Sequence, residues 1–428
     1  MAAPAATPLE RLELRQALEL AGAHSPRLEA ALHERRATEA SLEREKPGLR
    51  PTVNLTASQA LQGPKVTFPR LGETVTVVPT SRSQVGVTAQ QMLVRFGASA
   101  AGGRYRALRD AAAATYEQAR REFRLEVTQA YLKLAGARTM AGVAREGREL
   151  ADAHVALVES LLQAQTATKA ELLRAQADAA EARQGVLAAE NGEALARANL
   201  ERLLGAPLAA SVDLVDAHSP NAADGPAQDA TPGATLEELI GRGQARRPEV
   251  LALRSQLHAA EAGVSLARGQ GLPSVQLDGA LIRQTPTAFS PSTAWSAGIT
   301  VTLPLLDGGK ARSEATEARE RVAQLRANLR ELQEGIALEV RESWSAAEEA
   351  RARGDVAAAA VKAAEEAHAI AVLRYRAGAA LNAEVLDARL ALTRARANQA
   401  QAGMDLLQAR AELDSRSGSR DISLAGGL

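Results

Sequence analysis

The 428-residue chain has no cysteine, only 2% aromatic residues, six histidines and four methionines. Without cysteine there is no disulfide framework and no thiolate metal site. The scattered histidines and few methionines give no support to a metal cluster, so neither metal nor cofactor is expected. Aromatics this sparse would make a poor ordinary globular core. The 51 basic and 51 acidic residues cancel, which leaves no basic footprint for nucleic acid and no acidic tail. No run approaches the ~20 apolar residues of a spanning helix. The opening MAAPAATPLE lacks a basic segment followed by an apolar one. It is expected to be a mature start from which a signal peptide has been removed.

What is present is a repeat. SPRLEAALHERRATEASLEREKPGLRPTVNL, from Ser25, aligns with RPEVLALRSQLHAAEAGVSLARGQGLPSVQL, from Arg247, at an offset of 222. VGVTAQQMLVRFG (Val85) aligns with AGITVTLPLLDGG (Ala297) at 212. LEVTQAY (Leu125) with LEVRESW (Leu338), and KAELLRAQ (Lys169) with NAEVLDAR (Asn382), both align at 213. The shift of about ten falls between the paired strands, where a loop of different length is expected. Residues 1–210 and 236–418 are therefore read as one unit written twice, each helix, strand, strand, long helix, turn, helix. The Pro-, Gly-, Asp- and Ala-rich stretch 211–235 reads as a linker, and 419–428 as a tail.

The expected strands are 52–61, 83–94, 274–283 and 295–305. In the first, Val53, Leu55, Ala57 and Leu61 oppose Thr52, Asn54, Thr56 and Ser58. In the second, Val85, Val87, Ala89 and Leu93 share a face. In the last, Trp295, Ala297, Ile299, Val301, Leu303 and Leu305 oppose Ser296, Gly298, Thr300 and Thr302. Alternation over about ten residues suits a tilted membrane strand, and equally a soluble amphipathic sheet packed on helices. Trp295, Phe289 and Phe68 are the main candidates for an aromatic girdle. Four strands cannot close a membrane barrel, so a barrel would have to be shared between chains.

The helices are long. From Ala98 to about Gln163 no proline intervenes, and Leu108, Ala112, Thr115, Ala119, Phe123, Val127, Ala130 and Leu134 step by three and four. Val322, Leu325, Leu329, Leu332, Ile336, Val340 and Trp344 repeat the pattern. Each segment runs to roughly 100 Å at 1.5 Å per residue, which suits a coiled coil rather than a compact core. Gly136, Gly142 and Gly147 interrupt the first without an evident reason. Gly378 marks a tight turn in the second copy; Gln165 stands at the matching place in the first.

Four motifs, in order and duplicated, carry a resemblance: RPEVLAL…GLPSVQL, GITVTLPLLDGGKAR (Gly298), YRAGAALNAEVLDAR (Tyr375) and ANLERLLGAP (Ala198). Together they make residues 9–418 resemble the TolC family of outer-membrane efflux proteins. That resemblance implies a mainly α fold with a small β part. Long antiparallel coiled-coil helices would form an α-barrel, and four strands per chain would join one trimeric transmembrane β-barrel. It also implies a passive, gated exit duct in the outer membrane, extending into the periplasm. The implied partners are two further copies, a periplasmic adaptor, an inner-membrane transporter and outer-membrane lipid, with no nucleic acid.

The resemblance assigns Glu384 and Asp387 to acidic pore rings and Tyr375 and Glu171 to a gate bond. On the residues alone, the two acids are helix carboxylates near a tip and the tyrosine is a packing residue. The position where the family carries a gate arginine holds Ala380. The tips, with Gln165, Thr166, Ala377, Gly378 and Ala379, are expected to dock the adaptor. Pro304, Asp307, Gly308 and Gly309 are expected to manage the passage from strand to helix. No nucleophile, base or phosphate loop forms a catalytic constellation, so no enzyme is expected. The rival readings are a soluble Ala-rich coiled-coil scaffold and a periplasmic adaptor protein.

Overall fold

The computed structural model describes residues 9–45, 50–70, 72–215, 234–285 and 291–419. The first elements are β1 (Leu9–Leu12), α1 (Leu14–His24) and α2 (Pro26–Glu45). Four strands follow: β2 (Thr52–Leu61), β3 (Val66–Arg70), β4 (Glu73–Val78) and β5 (Ser81–Arg95). Then come α3 (Ala98–Gln163), α4 (Lys169–Leu204) and β6 (Leu208–Leu214). The second half runs α5 (Leu236–Arg246), α6 (Pro248–Gly269), β7 (Ser274–Thr285), β8 (Thr293–Thr302), α7 (Lys310–Arg376) and α8 (Asn382–Arg416). No helix among the described residues is long and apolar enough to cross a membrane. The chain forms two compact units, each assembled from both halves of the sequence: residues 34–114 with 251–330, and residues 1–33 with 115–250 and 331–428.

The first of these units carries a four-stranded antiparallel sheet in the order β2-β5-β7-β8. Its register sorts the side chains. Leu55, Val87, Leu281 and Trp295 lie directly opposite one another across the four strands, as do Val53, Ala89, Gly279 and Ala297. Directly paired residues share a face, so these rows make one apolar face. The rows Thr52, Gln90, Asp278, Gly298 and Asn54, Thr88, Ala280, Ser296 make a mostly polar opposite face. On β7 the apolar face runs from Val275 to Leu281, roughly 20 Å along the strand, and ends at Arg283.

Three details differ from the sequence reading. A bulge between Met92 and Val94 removes Leu93 from the ladder and sets Val94 opposite Val275, because an extra residue inverts the alternation beyond it. The last strand ends at Thr302 rather than residue 305, since Pro304 has no N–H to continue a ladder. The hairpin β3-β4 fills the longer connection of the first half. Phe68 lies on it and is exposed, whereas Phe289 falls outside the described residues.

The other unit is mostly helical. Its main core gathers Leu12, Leu14, Phe123, Val127, Tyr131, Leu134, Leu200, Leu204, Val212 and Leu214. Strand β6 pairs parallel with β1, so residues 211–214, read as linker, belong to a strand; residues 216–233 of that linker lie outside the described set. Tyr131 is fully buried and donates from its hydroxyl to the Leu12 carbonyl at 3.1 Å. Arg138 on α3 binds Glu193 on α4 and the carbonyls of Ala210 and Val212, which ties β6 to the helices. Arg247, ahead of α6, is buried and holds Glu339 at 2.6 Å and Glu249 at 3.1 Å.

Helix α7 buries Ala315, Val322, Ile336, Ser343, Ala350 and Ala357, all on one seven-residue period. That is the narrow seam of a coiled coil rather than the broad stripe of a globular helix. Two of the puzzling glycines on α3 have a packing reason. A Cβ on Gly136 would lie 3.0 Å from Met404 Cγ, and one on Gly147 would lie 3.1 Å from Thr393 Cγ2. Both contacts are on α8, eleven residues apart on each helix, so the glycines let two antiparallel helices approach closely. Gly142 has open space where a Cβ would be.

Candidate functional site

Three places hold the candidate residues: the helical-hairpin turns, the helices just behind them, and the passage from β8 into α7. The two turns close alike. After α3, Thr166 N donates to Leu161 O at 2.9 Å and Gln165 N to Leu162 O at 3.0 Å. After α7, Ala379 N donates to Arg374 O at 2.8 Å and Gly378 N to Tyr375 O at 3.0 Å. This paired pattern is the Schellman motif, which needs a left-handed residue. Gly378 supplies it at φ 71° and Gln165 at φ 59°. Gln165 thus takes the glycine position without being glycine.

The next helices start alike too. Glu171 is the third residue of α4, and its carboxylate accepts from Thr168 N at 2.7 Å and Thr168 Oγ1 at 2.9 Å. Glu384, its counterpart in α8, accepts from Leu381 N at 3.4 Å and lies 3.7 Å from Arg374. Both carboxylates therefore reach back over the first turn of their helices, where acids are favoured. Glu384 and Asp387 are exposed, with the buried Val385 and Leu386 between them.

The structure does not join Tyr375 to Glu171 by a hydrogen bond. The Tyr375 hydroxyl is buried without a partner, while the Glu171 carboxylate is taken up by its own helix cap. The phenol packs with Val158, Ala175 and Val385, against Ala380 among others. Burial pushes its pKa up, with Glu171 nearby adding to the effect.

Behind the turns lies a buried polar group that the sequence reading missed. Arg389, on the buried stripe of α8, is 3% exposed; its Nη2 meets Asp178 Oδ1 on α4 at 2.5 Å and its Nη1 donates to the Gly147 carbonyl on α3 at 3.3 Å. His154 on α3, 5% exposed, has Nε2 2.6 Å from Asn382 Oδ1 on α8. Asn382 Nδ2 in turn donates to the Glu171 carbonyl at 3.3 Å. With its amide nitrogen so used, Asn382 presents oxygen to the imidazole, which assigns the proton to Nε2 and leaves Nδ1 bare. His154 Nδ1, Asp178 Oδ2 and Arg389 Nε have no hydrogen-bond partner. Burial pushes the His154 pKa below the ordinary histidine value. Asn382 and Asp178 oppose that shift, and Arg389 adds to it. A cue existed in the sequence: Arg389 stands four residues after Val385 and three before Leu392, a charge inside an apolar helical stripe.

In the passage, Gly308 and Gly309 have φ of 65° and 84°. Asp307 accepts from Ala311 N at 2.8 Å and Gly309 N at 2.9 Å, capping α7. Those backbone donors, Ala311 first, hold its carboxyl below the usual range. Leu305 and Leu306 beside it are almost fully exposed. No group of His, Asp or Glu that could hold a metal occurs among the described residues.

An open amphipathic sheet joined to long helical hairpins is the architecture of outer-membrane channels with a helical barrel. The chain matches the outer membrane efflux protein family over residues 17–206 and 239–419, and it belongs to that family. It is 29% identical over 325 residues to Protein CyaE of Bordetella pertussis, covering 74% of this chain and 65% of that protein. It is 29% identical over 298 residues to Outer membrane protein OprJ of Pseudomonas aeruginosa, covering 67% and 60%. The chain thus spans less than two thirds of these curated relatives. Among solved structures, the outer-membrane channel OprN has a TM-score of 0.78 at 23% identity, covering 95% of this chain and 90% of that one. CusC has a TM-score of 0.78 at 18% identity, covering 98% and 95%. These likenesses establish the fold.

Proposed function

We propose that the protein is the outer-membrane exit duct of a tripartite efflux or type I secretion system, a passive gated channel rather than a catalyst. Three copies of the four-stranded sheet close one barrel of about twelve strands, and the helical hairpins continue the duct into the periplasm. The single observation that carries this reading is the sheet. It has two faces of opposite polarity and two free edges, and its edge strands leave Leu55 at 72%, Trp295 at 79% and Ile299 at 65% exposure. Such a sheet is an aggregation hazard in water, whereas closure between copies in lipid removes the edges and covers the apolar face. The exposed Leu187, Leu195, Val356, Ile370 and Leu373 on the helices supply contact surface for neighbouring copies.

On this reading Glu384 and Asp387, repeated by threefold symmetry, form acidic rings that favour cations. Gln165, Thr166, Ala377, Gly378 and Ala379 meet a periplasmic adaptor, which couples the duct to an inner-membrane transporter. Pro304, Asp307, Gly308 and Gly309 turn the chain from barrel to helix. The chain is one unit written twice, so that three copies present six hairpins.

Electron microscopy of detergent-purified protein tests the assembly. A hollow threefold particle with one end in the detergent belt is expected. A monomer that stays soluble without detergent would overturn the reading in favour of a coiled-coil scaffold. Bilayer recording of a Glu384→Gln/Asp387→Asn variant tests the rings, with loss of cation selectivity expected and unchanged reversal potentials counting against them.

A further inference from the structure

We propose that His154 is a proton-operated latch that holds the α7/α8 hairpin against the α3/α4 hairpin and releases it as the periplasm acidifies. This builds on the exit-duct reading for its consequence, a pH-dependent gate, but the latch itself stands on the local geometry.

The bridge runs through three helices: His154 on α3, the Asn382 side chain at the start of α8, and the Glu171 carbonyl in the first turn of α4. It therefore ties one hairpin to the other directly behind the turns. Charged and titratable groups lie around the imidazole on all four helices. On α4, Asp178 favours the imidazolium, and the Glu171 carboxylate is engaged by its helix cap. On α8, Arg389 opposes it. On α7, the Tyr375 ring lies 5.8 Å from the imidazole and His368 faces the same region, its own pKa lowered by burial and then by Arg389 and His154. On α3 itself, Asp152 is turned to Arg183 and Arg148. Arg389 and Asp178 already offset each other, so a proton on Nδ1 would leave one positive charge in excess in a buried site, on an N–H with no partner.

The sign follows from linkage. In the latched state the pKa is depressed; once the hairpins part, His154 is hydrated and titrates near the ordinary value of about 6.5. Unlatching then takes up a proton. The latch is at full strength above about pH 6.5 and weakens as pH falls from there toward the depressed pKa. Within that window the latched-to-open ratio changes by up to about tenfold per pH unit in each chain. Neither Glu384 nor Asp387 is part of the bridge.

Two readouts on the full-length protein test the proposal. Hydrogen exchange of residues 382–393, corrected for intrinsic rates, is expected to accelerate between pH 7 and 5.5 in the parent. His154→Gln keeps a donor near the Nε2 position and cannot titrate, and it is expected to flatten that response. His368→Gln is expected to retain it. Channel open probability in a bilayer, with pH varied on the hairpin side, is expected to follow the same pattern. A parent without a pH response, or a His154→Gln protein that keeps it, overturns the latch. Failure to form any channel, with the exchange pattern as expected, counts against the exit-duct reading and leaves the latch standing.

Discussion

Removing Arg389 is the most severe single change the hairpin junction offers. Arg389→Leu deletes a guanidinium that is 3% exposed and leaves Asp178, 12% exposed, without its 2.5 Å partner. The Gly147 carbonyl loses its side-chain donor at the same time. Breaking a buried pair by removing one partner costs about 3–5 kcal/mol, because the remaining charge stays buried. That corresponds to roughly two to three and a half powers of ten in the equilibrium between docked and parted hairpins. The pair is incompletely satisfied, with Asp178 Oδ2 and Arg389 Nε lacking partners. Replacing both members by leucine should therefore recover most of the loss. Hydrogen exchange on residues 147–158 and 382–396 is the assay, compared among parent, Arg389→Leu and Asp178→Leu/Arg389→Leu. Fast exchange in the single variant and near-parent exchange in the double is expected. If the single variant exchanges like the parent, the junction is not held by this pair; if the double is as fast as the single, the cost is lost packing and not a stranded charge.

Three further outcomes follow from the same region. The position a Cβ takes on Gly147 lies 3.8 Å from Thr393 Cβ, a typical disulfide separation; Gly147→Cys/Thr393→Cys should oxidise cleanly in a chain with no other cysteine, and in bilayers any conductance that needs α3 and α8 to part should return only when a reductant is added. Unrestricted conductance of the oxidised protein would show that α3 and α8 need not part. Gln165→Gly should stabilise the first hairpin by about 1 kcal/mol, since φ 59° is costly for a residue with a Cβ; a lower melting temperature would contradict that. Tyr375→Phe removes a buried hydroxyl that has no partner, so it should leave stability unchanged or raise it by up to about 1 kcal/mol, and a clear loss measured by thermal unfolding would reveal a bond formed between copies.

Much of the fold was legible because it rests on local period. Alternation places Val53, Leu55 and Leu281 on one face of their strands whatever the surroundings, and the unbroken helical stripe from Phe123 to Leu134 survives as part of the buried core. Where the reading failed, the missing quantity was a contact between distant segments. Strand β6 was hidden because its partner, β1, lies some two hundred residues earlier and the pairing spans few residues. The bulge at Leu93 leaves a mark, the consecutive apolar Met92, Leu93 and Val94, but which of them drops out of the ladder shows only in the pairing with β7. The role of Gly147 needs Thr393 opposite it, and two helices must be docked before that pair exists.

The candidate site divides along the same line. Glu171 and Glu384 fall at equivalent places in the aligned KAELLRAQ and NAEVLDAR, but their capping of the two helix starts, a local property of four consecutive residues, was not read from the sequence. The bond from Tyr375 to Glu171 was implied by the family resemblance; in this structure the Glu171 carboxylate closes its own helix start at 2.7 Å and no hydrogen bond joins it to the phenol. Each hairpin thus satisfies its turn and its caps internally, with Schellman closures and N3 acids. Docking of one hairpin on the other rests on groups buried behind the tips: Arg389 with Asp178, His154 with Asn382, and the apolar cluster of Val158, Ala175, Tyr375 and Val385. The contacts that hold the hairpins together therefore lie behind the turn residues Gln165 and Gly378, where no motif within a single segment displays them.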